Sequence, residues 1–181
     1  MSLFILDNKG YSMNKAEYEE LITNVPDFPK AGVVFKDISP LLKHKLDEVI
    51  TDMGKDINWS EIDLVLGIES RGFILGSALA IKYAKGFMPI RKKGKLPPPI
   101  IGEDYELEYG TDILEMRVNT ENLNVVVVDD VLATGGTLKA TLKLCEKNNY
   151  HVKAISMLIN LKFLNQLAND MDNIHCVLNY E

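Results

Sequence analysis

Residues 124–138 read NVVVVDDVLATGGTL. Val125 to Val128 are apolar on both faces of any strand they form, which suits a central strand of a parallel sheet covered by helices on both sides. Asp129 and Asp130 follow at once, then the short turn Ala133-Thr134-Gly135-Gly136-Thr137, then a helical pattern. Adjacent acids at the end of a buried strand are poorly placed for stability, because burying a charge is costly unless it is paired. That end of an open α/β sheet is where ligands bind. The glycines let backbone N–H groups converge on an anion, and the following helix adds its positive N-terminal end. The element can therefore hold hydroxyls with its acids and a phosphate with its turn, and a ribose 5-phosphate offers both. An ordinary strand–turn–helix with two solvated aspartates is the competing reading. The run of β-branched residues followed by DD and ATGGT weighs against it.

This element resembles the phosphoribosyl-pyrophosphate (PRPP) signature of the type I phosphoribosyltransferases. The resemblance implies that Asp129 and Asp130 bind the ribose 2′- and 3′-hydroxyls. It implies that Ala133, Thr134, Gly135, Gly136 and Thr137 wrap the 5′-phosphate.

Whole-chain properties agree with one soluble domain. The chain has 181 residues, 46% hydrophobic and 25% charged, enough for a real core. A net charge of −6 argues against nonspecific nucleic-acid binding. Cys145 and Cys176 are too few for a disulfide framework or a zinc knuckle and read as reduced core thiols. No apolar run is long enough to span a bilayer. The start, MSLFILDNKGYSM, lacks the features of a signal peptide, so the expected compartment is the cytoplasm.

Met1 to Met13 reads as a loose arm on a single domain of residues 1–181. Asn14 with Glu17 forms a capping box before an apolar face of Tyr18, Leu21 and Ile22, and the prolines of Val25-Pro26-Asp27-Phe28-Pro29 end that helix. Ser39-Pro40 reads as N-cap and first residue of a second helix, with Leu41, Leu42, Leu46, Val49, Ile50 and Met53 turned inward. Between them, Val33 to Phe35 reads from physics alone as an edge strand. The surrounding FPxxGVVFKDIS, however, resembles the adenine-binding segment of the adenine phosphoribosyltransferases. There the backbone around positions matching Val34 and Lys36 reads the purine edge, with Phe35 packed close by. A carbonyl can accept from the exocyclic amine of adenine while an N–H donates to N1, and a 6-oxopurine presents the opposite pattern. The family commonly has Arg where this chain has Lys36, a change of little weight if the main chain does the reading.

Ile62 to Ile68 reads as a second buried strand, followed by Glu69-Ser70-Arg71-Gly72 and a helix from Phe73 to Lys85. Arg71 is by itself as readily a surface arginine at a helix start as a ligand. The match is to the family's pyrophosphate loop, which implies a guanidinium for the pyrophosphate and a non-proline cis peptide at Glu69–Ser70. Phe87 to Ile90 is a short strand before the basic run Arg91-Lys92-Lys93-Gly94-Lys95. Such a run is usually a solvated face. Leu96 to Asp104, with three prolines, excludes a helix and a central strand, and Tyr105–Gly110 with Ile113–Val118 alternates like a hairpin. Residues 94–110 resemble the family's flexible catalytic flap, including Tyr109 of LEYG. After the PRPP element come a helix at 135–149, strands at 152–158 and 174–178, and a short helix at 161–168 between them. Leu158 and Ile159 fall where relatives place an aliphatic side chain over the base, and either serves equally well as ordinary core. His44, His151 and His175 are too scattered for a metal site, and no Gly-x-Ser-x-Gly elbow is present.

The resemblance implies an α/β fold of the type I phosphoribosyltransferase kind, a central parallel sheet flanked by helices with a small hood and a flexible flap. It implies transfer of phosphoribose from PRPP to adenine, giving AMP and pyrophosphate, in a homodimer. Mg²⁺ is then held mainly by PRPP and water. Arg71, Arg91, Lys92 and Lys95 are the implied pyrophosphate ligands, and Glu108 the implied proton-transfer group. A transferase for another purine base and a non-catalytic PRPP sensor are the alternatives.

Overall fold

The computed structural model describes residues 12–107 and 110–181. Glu108, Tyr109 and most of the expected N-terminal arm lie outside the described residues. The chain divides into two compact units, residues 1–55 and 56–181.

In the first unit, α1 (Lys15–Leu21) starts with the expected capping box. The Asn14 side chain accepts from the N–H groups of Ala16 and Glu17 at 3.0 and 3.2 Å, and the Glu17 carboxylate accepts from the Asn14 N–H at 2.8 Å. The residues expected only to end that helix instead form a strand, β1 (Thr23–Pro26), antiparallel to β2 (Val34–Asp37). Pro26 is tolerated because it is the last residue of a strand in a two-stranded ribbon. In α2 (Ser39–Gly54), Ser39 is already helical and is not the N-cap. Asp37 supplies the carboxylate that accepts from the Ser39 N–H and hydroxyl, at 2.9 and 2.6 Å. A break at Lys45 (φ −140°, ψ 29°) shifts the helical phase and leaves Leu46 exposed rather than inward.

The second unit is a seven-stranded sheet. Its strands are β3 (Leu64–Ile68), β4 (Gly86–Lys92), β5 (Ile100–Leu107), β6 (Gly110–Arg117), β7 (Leu123–Leu132), β8 (Tyr150–Leu161) and β9 (Ile174–Tyr180). Their order is β5-β6-β4-β3-β7-β8-β9, with β4, β3, β7, β8 and β9 parallel and the β5–β6 hairpin antiparallel at one edge. This is the expected parallel sheet. The helix α3 (Arg71–Lys82) carries the chain from β3 to β4, and α4 (Gly136–Lys147) carries it from β7 to β8. The two crossovers step in opposite directions from adjacent strands. Right-handed connections therefore lay α3 and α4 on opposite faces. Val125 to Val128 are fully buried, as a doubly covered strand requires. Val125 and Val127 pack in one core with Leu138, Ala140 and Leu144 of α4.

Several boundaries differ from expectation. The strand β4 runs to Lys92, so Arg91 and Lys92 stand on a strand end rather than in a loop. Ile100 to Asp104 joins β5, which the prolines permit because β5 is an edge strand. No helix spans 161–168. Instead β8 continues to Leu161, a 3₁₀ turn covers Lys162–Leu164, and α5 (Leu167–Asp170) is a single turn. Both cysteines are free, but only Cys145 is fully buried. No helix among the described residues is long and apolar enough to cross a membrane.

One buried charge secures the first unit. Asp52 is 4% exposed and accepts from the Ser12 hydroxyl (2.5 Å), the Met13 N–H (3.0 Å), the Tyr18 hydroxyl (2.8 Å) and Lys55 Nζ (3.1 Å). Burial raises its pKa, but these donors outweigh burial and hold it below the usual carboxylate range. A depressed folded pKa means stability that is present above the unfolded value of about 3.9 and is lost as pH falls through the folded value. Asp52→Asn is expected to cost about 1–3 kcal/mol at pH 7. In thermal melts its deficit should shrink progressively below about pH 4.

Candidate active site

The strand order reverses between β3 and β7, and the crevice beyond their carboxyl ends is the topological switch point. Pairing of β3 with β7 ends at Gly67 and Val128, so Asp129 and Asp130 emerge where the neighbouring strand stops. The turn from β3 into α3 brings Glu69, Ser70 and Arg71 to the same place, and the Glu69–Ser70 peptide is cis, as expected. Gly72 permits this approach. A Cβ there would lie 2.6 Å from the Val128 carbonyl oxygen and 3.1 Å from Asp129 Oδ1.

Arg71 Nη1 lies 2.9 Å from Asp130 Oδ2 across the crevice. Asp130 is buried, and that oxygen accepts no well-aligned hydrogen bond, so the contact is an ion pair with directional capacity to spare. Asp129 Oδ1 accepts from the Asp130 N–H at 2.9 Å. Burial, then the neighbouring Asp130 charge, pushes the Asp129 carboxyl well above the usual range. Two acids lie side by side, one paired with Arg71 and one pushed up by burial, which makes this crevice the candidate site.

Glu69, Ser70, Arg71, Lys92, Lys95, Asp129 and Asp130 line a cavity of about 320 Å³. Glu69 gathers the cations. Its carboxylate meets Lys95 Nζ, accepts from the Lys92 N–H at 3.0 Å and lies 3.3 Å from Arg91 Nε. Burial raises the Glu69 pKa, but the hydrogen bonds from Lys95, Lys92 and Arg91 outweigh it and hold the group below its ordinary value. Arg91 also covers the Phe73 ring at 5.6 Å, and Lys92 Nζ is 3.5 Å from Asp112. Arg71, Lys92 and Lys95, expected from the sequence as anion ligands, line this cavity, whereas the sequence assigns Glu69 no role. The signal was an acid directly after a buried strand, in a chain whose next strand ends in a basic run.

Residues 133–137 line an adjoining cavity of about 60 Å³ with Ile68, Asp129 and Met157. Gly135 sits at the N-cap of α4 with φ +84°, a conformation that favours glycine. A Cβ there would also collide with the side chain of Leu167. On the α4 side, a cavity of about 540 Å³ runs from Thr134 and Gly136 to Asp104, Tyr105 and Lys143. Leu158 is fully buried in β8, and its neighbour Met157 is the residue that reaches the turn. Val34, Phe35 and Lys36 form β2 in the first unit, where Phe35 meets Phe28 edge-on at 5.1 Å. Among the described residues no group of three or more His, Cys, Asp or Glu side chains is arranged to hold a metal ion.

Comparison with known proteins agrees with this geometry. A phosphoribosyl transferase domain model matches residues 37–162. The adenine phosphoribosyltransferase of Bdellovibrio bacteriovorus is 45% identical over 91% of this chain and 99% of its own length. The crystal structure of the adenine phosphoribosyltransferase from Rhodothermus marinus is 42% identical, with a TM-score of 0.83, covering 91% of this chain and 97% of its own. The corresponding structure from Thermoanaerobacter pseudethanolicus is 40% identical, with a TM-score of 0.85, covering 91% and 99%.

The strain on Asp129 has a measurable sign. An acid whose folded pKa is raised destabilises the fold when ionised, and the penalty vanishes below the unfolded value of about 3.9. Asp129→Asn keeps an acceptor for the Asp130 N–H and removes the charge. It should stabilise the ligand-free protein by on the order of 1 kcal/mol at neutral pH, a gain that fades toward pH 4 in calorimetric melts.

Proposed function

Because the chain belongs to the phosphoribosyltransferase family, and within it to the adenine phosphoribosyltransferases, we propose that the crevice between β3 and β7 is its active site. The reaction is transfer of the 5-phosphoribosyl group of PRPP to adenine, giving AMP and pyrophosphate. The observation that carries the site assignment is the Arg71–Asp130 pair at the switch point, 2.9 Å apart, with the glycine turn immediately downstream.

Breaking the C1′–pyrophosphate bond leaves an oxocarbenium-like ribose and gathers negative charge on the leaving group. The protein must therefore supply position and electrostatics rather than a covalent nucleophile. Asp129 and Asp130 accept the 2′- and 3′-hydroxyls and favour positive charge at C1′. When a hydroxyl takes its place on Asp130, Arg71 is released toward the pyrophosphate. Arg91, Lys92 and Lys95 complete that subsite, exchanging Glu69 for the incoming phosphates. Ala133, Thr134, Gly135, Gly136 and Thr137 hold the 5′-phosphate through main-chain N–H groups and the start of α4. The main chain at Val34 and Lys36, with Phe35 close by, reads adenine; Leu158, fully buried in β8, is left to the core. Residues 94–110, with Tyr109, form the flap that excludes water. Glu108 handles the proton on the imidazole side of the base.

Asp129 and Asp130 present hard oxygen donors beside the cavity, which fits Mg²⁺ held mainly by PRPP oxygens and water. When bound, the ion offsets charge on the pyrophosphate. The working form is a homodimer. Ile74 and Ile81 lie two turns apart on one side of α3, 48% and 82% exposed, which supports an apolar face for a second copy. Two free thiols suit the reducing cytoplasm.

AMP formation from PRPP and Mg²⁺ with adenine, hypoxanthine, guanine and xanthine in parallel tests the reading. Adenine should turn over, and each oxopurine should be slower by roughly a thousandfold or more. Equal turnover of an oxopurine would refute the assignment of Val34 to Lys36. Glu108→Gln should lower kcat by about a hundredfold while leaving the KM for PRPP within a few-fold. An unchanged kcat would remove Glu108 from the mechanism.

A further inference from the structure

The side chain of Asn165, just beyond the 3₁₀ turn that follows β8, reaches beneath the glycine turn. Its amide nitrogen donates to the Ala133 carbonyl at 2.7 Å. The same nitrogen lies 3.1 Å from the Leu161 carbonyl, 3.2 Å from Asn160 Oδ1 and 3.4 Å from the Leu132 carbonyl. Its oxygen accepts from the Leu167 N–H at 3.0 Å. The reverse orientation would set that oxygen against the carbonyls of Leu132, Ala133 and Leu161, so the surroundings fix which end is the donor. Asn160, 1% exposed, donates onward to Asn179 Oδ1 at 3.0 Å. A chain of amides thus runs from β9 through β8 to the turn. Leu167, positioned by Asn165, is the side chain packed under Gly135.

We propose that Asn165 is a positioning residue for the 5′-phosphate turn. This rests on the reading of Ala133 to Thr137 given above. In a trans peptide the carbonyl and the following N–H point in opposite directions. Drawing the Ala133 carbonyl toward Asn165 therefore turns the Thr134 N–H away from it, toward the ligand side of the turn. Asn165 touches no reacting atom. It sets the direction of a donor to the 5′-phosphate, and through Leu167 it supports the left-handed bend at Gly135. Its effect belongs to the anchored end of PRPP and not to the base or the leaving group.

Titration calorimetry with ribose 5-phosphate isolates that end. Asn165→Ala should weaken ribose 5-phosphate about tenfold, the effect of losing a hydrogen bond of ordinary strength. The KM for PRPP should rise by a similar factor. The affinity for pyrophosphate and the KM for adenine should stay within about twofold, as for sites with no shared partners. Asn165→Asp keeps the acceptor for Leu167 but loses the donors, so it should reproduce the loss and not rescue it. Thermal melts of both variants identify general unfolding, which would weaken every ligand alike and overturn the proposal. Thr137→Ala runs beside them as a check on the turn itself. If Thr137→Ala weakens ribose 5-phosphate while both Asn165 variants bind normally, the turn reading stands and the positioning role falls. If neither position affects ribose 5-phosphate, both fall.

Discussion

Two carboxylates at the end of a fully buried strand are the constraint around which this molecule is arranged. Charge in such a place is tolerated only where partners are supplied. Here the supply comes from the neighbouring crossover. The turn after β3 delivers Arg71 to Asp130, and the bare backbone of Gly72 lets the start of α3 come close enough to do so. Asp129 accepts from the N–H of its neighbour, and burial beside a second acid still raises its pKa. A sequence selected for stability alone would remove that acid. Its presence is intelligible if, as proposed, it accepts a ribose hydroxyl.

A second balance surrounds the first. The chain carries a net charge of −6, yet Arg71, Lys92 and Lys95 converge on one cavity with Arg91 just behind. Their repulsion is offset by separate acids: Glu69 takes Arg91 and Lys95, Asp130 takes Arg71, and Asp112 takes Lys92. In the proposed function these acids keep the cations collected for a polyanion. Charges already assembled need little reorganisation when a ligand arrives, which is where electrostatic stabilisation gains most of its strength.

Much of this was legible in the chain because the signals are local. Val125 to Val128 declare a doubly covered strand, Asn14 and Glu17 a helix start, and the glycines after DD the turn into α4. The misreadings share one cause, the dependence of a residue's role on what pairs with it at a distance. The expected hairpin strand starts at Tyr105, whereas β5 starts at Ile100 beside the prolines, because an edge strand needs partners on one side only. Pro26 reads as a helix stop and is also a strand end. Leu46 fits the helical period until the break at Lys45 shifts the phase. Asn165 carries no motif at all. Its meaning lies in the distance to Ala133, thirty-two positions away in sequence. Hydrogen bonds of that range are properties of the fold and leave no periodicity to read.

The two anionic ends of the proposed substrate call for opposite kinds of holding, and the architecture divides along that line. The 5′-phosphate must stay fixed from binding through transfer, whereas the pyrophosphate must be bound and then let go. Main-chain N–H groups on a braced turn suit the first task, since their directions are set by the backbone and cost nothing to reorganise. In the proposed arrangement Asn165, Leu167 and the start of α4 brace that turn from below. Long cationic side chains suit the second, because they can exchange partners, and Glu69 gives them a partner to return to. A rigid anchor at one end and a reversible clamp at the other leaves C1′ as the point where the strain of the reaction falls.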